Sequence, residues 1–188
     1  MKINKLIIYF FITFLIKIDF AFSEIYFESS NIEIKSDENI ILAYDSVAHS
    51  ETKQLKIKSK KAKYDKKKQV IFFHDEVIFK DSANKLLLDS NKITYKELKD
   101  IIYSDGETNI VIKNKYKINN ENIYYDRKLN KIYGSDETFI EDKEGNIYKL
   151  LDKFEINILK ENIKSSKAFI IDTNNNKYIF ENLFIDLQ

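Results

Sequence analysis

A chain of 188 residues with 31 basic and 30 acidic side chains is close to neutral, which argues against a nucleic-acid binder, a class with a clear basic excess. It contains no cysteine, no proline and three glycines. It is therefore held without disulfides, it takes its turns from Asn, Asp, Lys and Ser, and it has little material for a phosphate-cradling glycine loop.

The N-terminus carries Lys2 and Lys5, then an apolar run from Leu6 to Ile16 broken only by Thr13, then Ala21-Phe22-Ser23. That layout predicts a secretory signal peptide over residues 1–23, cleaved after Ser23. The apolar run is short for a membrane span of roughly 20 residues, and Lys17 and Asp19 follow it. Removing Lys2, Lys5, Lys17 and Asp19 leaves 28 basic and 29 acidic residues. Residues 24–188 are enough for one domain with a sizeable core.

The remainder reads as short strands. Ile32-Glu33-Ile34, Val77-Ile78-Phe79, Leu86-Leu87-Leu88, Ile93-Thr94-Tyr95 and Tyr116-Lys117-Ile118 carry the β-branched, aromatic and aliphatic residues that strands favour. Lys66-Lys67-Lys68, Ser82-Ala83-Asn84, Asp105-Gly106, Glu144-Gly145-Asn146 and Asn174-Asn175-Asn176 separate them as turns. Residues 150–163 also fit helical spacing, through Leu150, Leu151, Phe154, Ile158, Leu159 and Ile163. Strand and short helix both stay open there.

A repeat of about thirty residues organises these segments. Ala62-Lys63-Tyr64-Asp65 recurs as Ile93-Thr94-Tyr95-Lys96, Ile123-Tyr124-Tyr125-Asp126 and Phe154-Glu155-Ile156-Asn157. Ile32-Glu33-Ile34 precedes the series and Leu183-Phe184-Ile185-Asp186 closes it. Val70, Ile101, Ile132 and Ile163 follow each phrase in step. Equivalent units fold alike, which favours strand over helix at 150–163, and stacked units build one continuous apolar interior.

Chemical sites are sparse. His49 and His74 are the two histidines, and neither stands in a metal-ligand spacing. Asp65 and Asp126 recur at equivalent places, which suits turn formation better than acid catalysis. The lysines at 56, 58, 60, 61, 63, 66, 67 and 68 read as a solvated outer face, with contact to an anionic partner as the other reading. There is no G-x-S-x-G and no H-E-x-x-H.

The stretch Ser59-Lys60-Lys61-Ala62-Lys63-Tyr64-Asp65-Lys66-Lys67-Lys68-Gln69-Val70-Ile71, followed by Asp75-Glu76-Val77-Ile78-Phe79-Lys80-Asp81, resembles the repeat unit of the OstA-like, organic-solvent-tolerance domain. That domain makes up the lipopolysaccharide-transport bridge protein LptA and the periplasmic N-terminal part of LptD. The resemblance runs from about Ile32 to Leu187. Glu76 stands where the family's unit has glycine, and Thr108 and Thr138 stand where it has valine.

The resemblance implies an all-β fold, a curved antiparallel jelly roll open at its ends. It implies an apolar groove for the acyl chains of lipid A, end-to-end joining of modules by their terminal strands, and a place in the periplasm beside the outer membrane. It implies no enzymatic activity, no metal and no cofactor. The candidate groove residues are Ile34, Tyr64, Phe72, Val77, Phe79, Leu86, Leu88, Ile93, Tyr95, Ile110, Tyr116, Ile118, Ile123, Tyr125, Ile140, Phe154 and Ile156. The length suits the stand-alone bridge protein, whereas the wording of the repeats leans toward the N-terminal domain of the larger one. Two other classes compete: a structural or adhesive β-solenoid with parallel coils, and a polysaccharide-active enzyme with two acids across a cleft.

Overall fold

The computed structural model describes residues 25–186; the expected signal peptide at 1–23 lies outside them. Fifteen strands form one sheet: Tyr26–Glu28 (β1), Asn31–Lys35 (β2), Ile40–Ser50 (β3), Leu55–Asp65 (β4), Val70–Asp81 (β5), Leu86–Lys96 (β6), Ile101–Ile112 (β7), Tyr116–Asn120 (β8), Tyr124–Asp126 (β9), Lys131–Gly134 (β10), Thr138–Asp142 (β11), Ile147–Leu150 (β12), Phe154–Asn157 (β13), Asn162–Ile171 (β14) and Lys177–Asp186 (β15). One short 3-10 turn, Ser36–Glu38, interrupts them.

Several strands lie end to end. β7 pairs with both β8 and β9, β14 with both β12 and β13, and β3 with both β1 and β2. The sheet is therefore a ladder of eleven rungs in chain order, each antiparallel to the next and bent near its middle. The bend is a register shift in the long strands, between Lys58 and Lys61, between His74 and Val77, and between Ser90 and Lys92. In later rungs it is a break in the strand. The two halves of every rung thus form two limbs folded face to face. All pairings are antiparallel, unlike the parallel coils of a β-solenoid.

The thirty-residue period is one hairpin of this ladder, two rungs and two turns. The repeated phrase ends every second rung on the same limb. Four-residue turns join most of the rungs, and the last residues Gln54, Gln69, Lys85, Asp100 and Asn130 of five of them take the left-handed conformation, with φ of 50–57°. Their carbonyls accept from the next turn on the same limb: Ser82 N–H to Gln54 at 2.9 Å, Glu97 to Gln69 at 3.0 Å, Lys113 to Lys85 at 2.8 Å, Arg127 to Asp100 at 3.2 Å and Ile158 to Asn130 at 2.9 Å. Two rows of linked turns therefore edge the two limbs. Residues 150–163 are strand, turn and strand, as the repeat required; among the described residues there is no α-helix. Asp105-Gly106 is not a turn between strands but the bend inside β7, where Gly106 has φ 85°.

A bend frees carbonyls from the ladder, and buried groups of that kind need partners. Mid-rung hydroxyls supply them. Ser59 donates to the Lys61 carbonyl at 3.1 Å, Thr108 to Gly106 at 2.8 Å, Thr138 to Asp136 at 2.9 Å and Ser165 to Lys167 at 3.0 Å. Their side chains are buried, so the crease of the folded sheet is a polar seam and the apolar core occupies the space between the limbs.

Candidate lipid-binding interior

Residues directly opposite across an antiparallel pair share a face. Following the register from rung to rung traces two continuous inward rows. On one limb the row is Ile34, Ile41, Tyr64, Ile71, Tyr95, Ile102, Tyr125, Ile132, Ile156, Ile163, Ile185. On the other it is Phe27, Ala48, Ile57, Phe79, Leu88, Ile110, Ile118, Ile140, Tyr148, Ile170, Tyr178. Each row spans all eleven rungs without a charged residue. The rows face each other: the Phe79 and Tyr125 rings, one from each limb, meet edge to face at 6.3 Å.

Burial along the rows depends on position. From Ile57 to Tyr148 on one limb, and from Ile71 to Ile163 on the other, every member is buried. Phe27, Ile41, Tyr64, Ile170 and Ile185 are half-buried, and Ile34 and Tyr178 are exposed. The apolar interior therefore surfaces at the first and last rungs, where β1 and β2 on one side and β15 on the other pair on a single edge.

Of the candidate groove residues, Ile34, Tyr64, Tyr95, Tyr125 and Ile156 fall on the first row. Phe79, Leu88, Ile110, Ile118 and Ile140 fall on the second. Val77, Leu86, Ile93, Tyr116, Ile123 and Phe154 are buried beside the rows. Phe154 packs under Gly134, where a Cβ would meet its ring at 2.4 Å. Phe72 lies opposite Lys63 and Thr94 on the outer face. The reading by sequence missed Ile71 and Ile102, because Val70-Ile71 and Ile101-Ile102 offer two apolar residues in succession. Alternation cannot choose between them, and a one-residue slip inverts the face.

The resemblance implies an apolar groove open at its ends; between those ends the limb tips meet across the mouth. Arg127, in the turn after β9, donates from Nε to Asp81 at the opposite tip at 2.8 Å, and from Nη1 to both oxygens of Asp100 at 2.8 and 3.0 Å. It also donates from Nη2 to the Lys53 carbonyl at 2.7 Å, across the mouth. Tyr125 donates to Asp81 at 2.8 Å, Asn84 donates to the Tyr125 hydroxyl at 2.8 Å, and Lys53 donates to the Tyr95 hydroxyl at 2.8 Å. The Arg127 side chain is 5% exposed and that of Asp81 0%. Burial alone would raise the Asp81 carboxyl, but the Arg127 hydrogen bond and charge, with Asn84, outweigh it and hold it below the ordinary carboxylate range. Burial, then the neighbouring carboxylates, push the Tyr95 and Tyr125 hydroxyls far up, so both stay protonated donors. A second contact closes the mouth further along, where Lys113 and Lys115 of one tip both bond the Glu161 carboxylate of the other.

The remaining polar candidates take structural places. Asp65 accepts from the Lys68 N–H at 3.0 Å and Asp126 from the Leu129 N–H at 2.9 Å, each inside its own turn. His49 lies 3.9 Å from Glu28, and His74 is exposed on the outer face. Among the described residues no cluster of three or more His, Cys, Asp or Glu could hold a metal. The lysines from 56 to 68 are all exposed; Lys61 pairs with Asp75 at 3.0 Å and Lys68 with Asp65 at 3.3 Å.

The ladder of bent antiparallel rungs defines the class: an all-β, curved jelly roll. No family model matches the chain, and no curated protein does. Among solved structures it is similar to the crystal structure of LptH, the LptA-homologous periplasmic component of the lipopolysaccharide transport device of Pseudomonas aeruginosa. The TM-score is 0.50 and the identity 12%, over 55% of this chain and 76% of that one. At that identity the likeness is one of fold.

Proposed function

We propose that this chain is a periplasmic lipopolysaccharide-transport module, which shields the acyl chains of lipid A between its limbs and passes them toward the outer membrane. One observation carries the reading: two apolar rows run unbroken through all eleven rungs and surface at both ends of the stack. Each methylene left in water costs about 0.8 kcal/mol, so an unshielded twelve-carbon chain costs on the order of 9 kcal/mol. A continuous track offsets that cost at every point without a single strong site. The fold it shares with LptH supports the same reading. The module works without a cofactor and without catalysis.

The ends extend the proposal. An exposed strand edge is normally an aggregation hazard. Here β1 and β2 at one end and β15 at the other lie beside the exposed ends of the rows. Strand addition from a neighbouring module of like fold would join both ladder and track. The N-terminal leader at 1–23 would export the chain and be removed. Both a stand-alone bridge and the N-terminal domain of a larger outer-membrane protein fit this role.

The test is photocrosslinking in cells that make lipopolysaccharide. A photoreactive phenylalanine analogue at Tyr95 or Tyr125 should capture lipopolysaccharide, and one at Lys63, on the outer face, should not. Equal capture from Lys63, or none from the two inner positions, would overturn the carrier role.

A further inference from the structure

The two contacts that shut the mouth are unequal. Around Arg127 the cation itself is 5% exposed and bonded on every side, with Asp81 at 0% and Asp100 at 15%. Around Glu161 the carboxylate is 13% exposed and its partners Lys113 and Lys115 are 24% and 41% exposed. Two lysines share one carboxylate there, with Asp142 opposite Tyr116 on the next rung. Beneath this contact is a largely apolar cavity walled by Ile112, Ile118, Ile140, Ile156, Ile158 and Ile163, with Glu161 itself on its border. Its volume is about 10 Å³, at the lower limit for a single water. A hydrocarbon tail therefore enters only as the limbs part.

Building on the carrier reading, we propose that the Glu161 clasp is the point where the mouth opens, and that the site beneath takes an anionic amphiphile. The headgroup anion replaces the Glu161 carboxylate between Lys113 and Lys115, while the tail displaces the isoleucine side chains below. Three features of the site match the parts of such a ligand. Two ammonium groups suit a phosphate or carboxylate. The isoleucine walls suit an alkyl chain. Glu161 is the internal anion that holds the site shut until another takes its place.

The experiment uses the full chain with 13C-labelled isoleucine methyls and three probes: dodecyl phosphate, dodecyl maltoside and inorganic phosphate. Dodecyl phosphate should shift the methyls of Ile112, Ile118, Ile140, Ile156 and Ile163 saturably; inorganic phosphate should not. Glu161→Gln should bind dodecyl phosphate about five- to tenfold tighter, since the competing anion is gone. Lys113→Ala combined with Lys115→Ala should lose the preference for dodecyl phosphate over dodecyl maltoside. Unchanged or weaker binding by E161Q overturns the proposal, as do equal shifts with inorganic phosphate or shifts centred on methyls outside this cavity. If lipopolysaccharide still crosslinks from Tyr95 while dodecyl phosphate leaves these five methyls unmoved, this site falls and the carrier reading stands.

Discussion

Arg127 is the single arginine among 31 basic residues, and it is the one cation buried at the mouth. The geometry explains the choice. Asp81, Asp100 and the Lys53 carbonyl lie on three sides of one guanidinium, and a planar fork with five donors reaches them together, whereas a lysine ammonium is a point charge. Removing one partner of a buried pair leaves the other uncompensated. Arg127→Ala should therefore cost about 3–5 kcal/mol in urea unfolding, and Arg127→Lys should restore only part of that. The pH dependence follows from the sign of the Asp81 shift. A carboxyl held below its ordinary value contributes stability that is complete above its unfolded pKa and is lost as pH falls through the folded one. Wild type should thus weaken on acidification below about pH 4. In R127A only Asn84 and Tyr125 still bond the carboxylate against its burial, the Asp81 carboxyl rises relative to wild type, and the gap to wild type should narrow as pH falls from 7 to 4. A gap that stays constant over that range would assign the cost to lost packing alone.

At the scale of the strand and its bend, the chain follows the ladder with almost no glycine. In β5, Asp75 and Glu76 take φ of 63° and 54° in succession, and Glu76 is where the OstA-like unit has glycine. A left-handed residue with a Cβ costs roughly 1–2 kcal/mol, partly offset because glycine loses more backbone entropy on folding. The 3.7 Å Lys60–Glu76 contact is exposed on both sides and adds little. Glu76→Gly should therefore stabilise by about 0.5–1 kcal/mol, a rise of roughly 1–4 °C in Tm. Lys58→Gly, at an extended position of β4, should move Tm the other way. A fall with E76G would mean that the bend is not strained at Glu76. The strands and their period were legible because Ala62-Lys63-Tyr64-Asp65 and its echoes keep step with the hairpins. The bend was not. Thr108 stands where the related unit has valine, yet nothing in that match says its hydroxyl serves a carbonyl; only the folded sheet shows Ser59 and Thr108 bonding the carbonyls beside the bend.

For the whole molecule, the ladder makes stability nearly one-dimensional. Each rung pairs only with its neighbours in sequence, so formation needs no long loop closure, and each hairpin adds to the last as a repeat adds to an array. The mouth is the exception. Arg127 to Asp81 and Glu161 to Lys113 bridge rungs 46 and 48 residues apart, contacts that no periodicity announces, and these close the groove between its ends. The array should therefore unfold from its ends. Amide exchange under native conditions should be fastest in β1, β2 and β15, and slowest in β5 to β7, where both rows and the Arg127 clasp coincide. Ile102→Ala, in the middle of one row, should cost about 2–5 kcal/mol and speed exchange across the whole stack. Ile34→Ala, at its exposed end, should change exchange only in β1 to β3. If instead both substitutions accelerate every amide equally, the molecule opens as one cooperative unit, and a carrier whose mouth parts at one clasp while the remaining rungs hold would need a different physical basis.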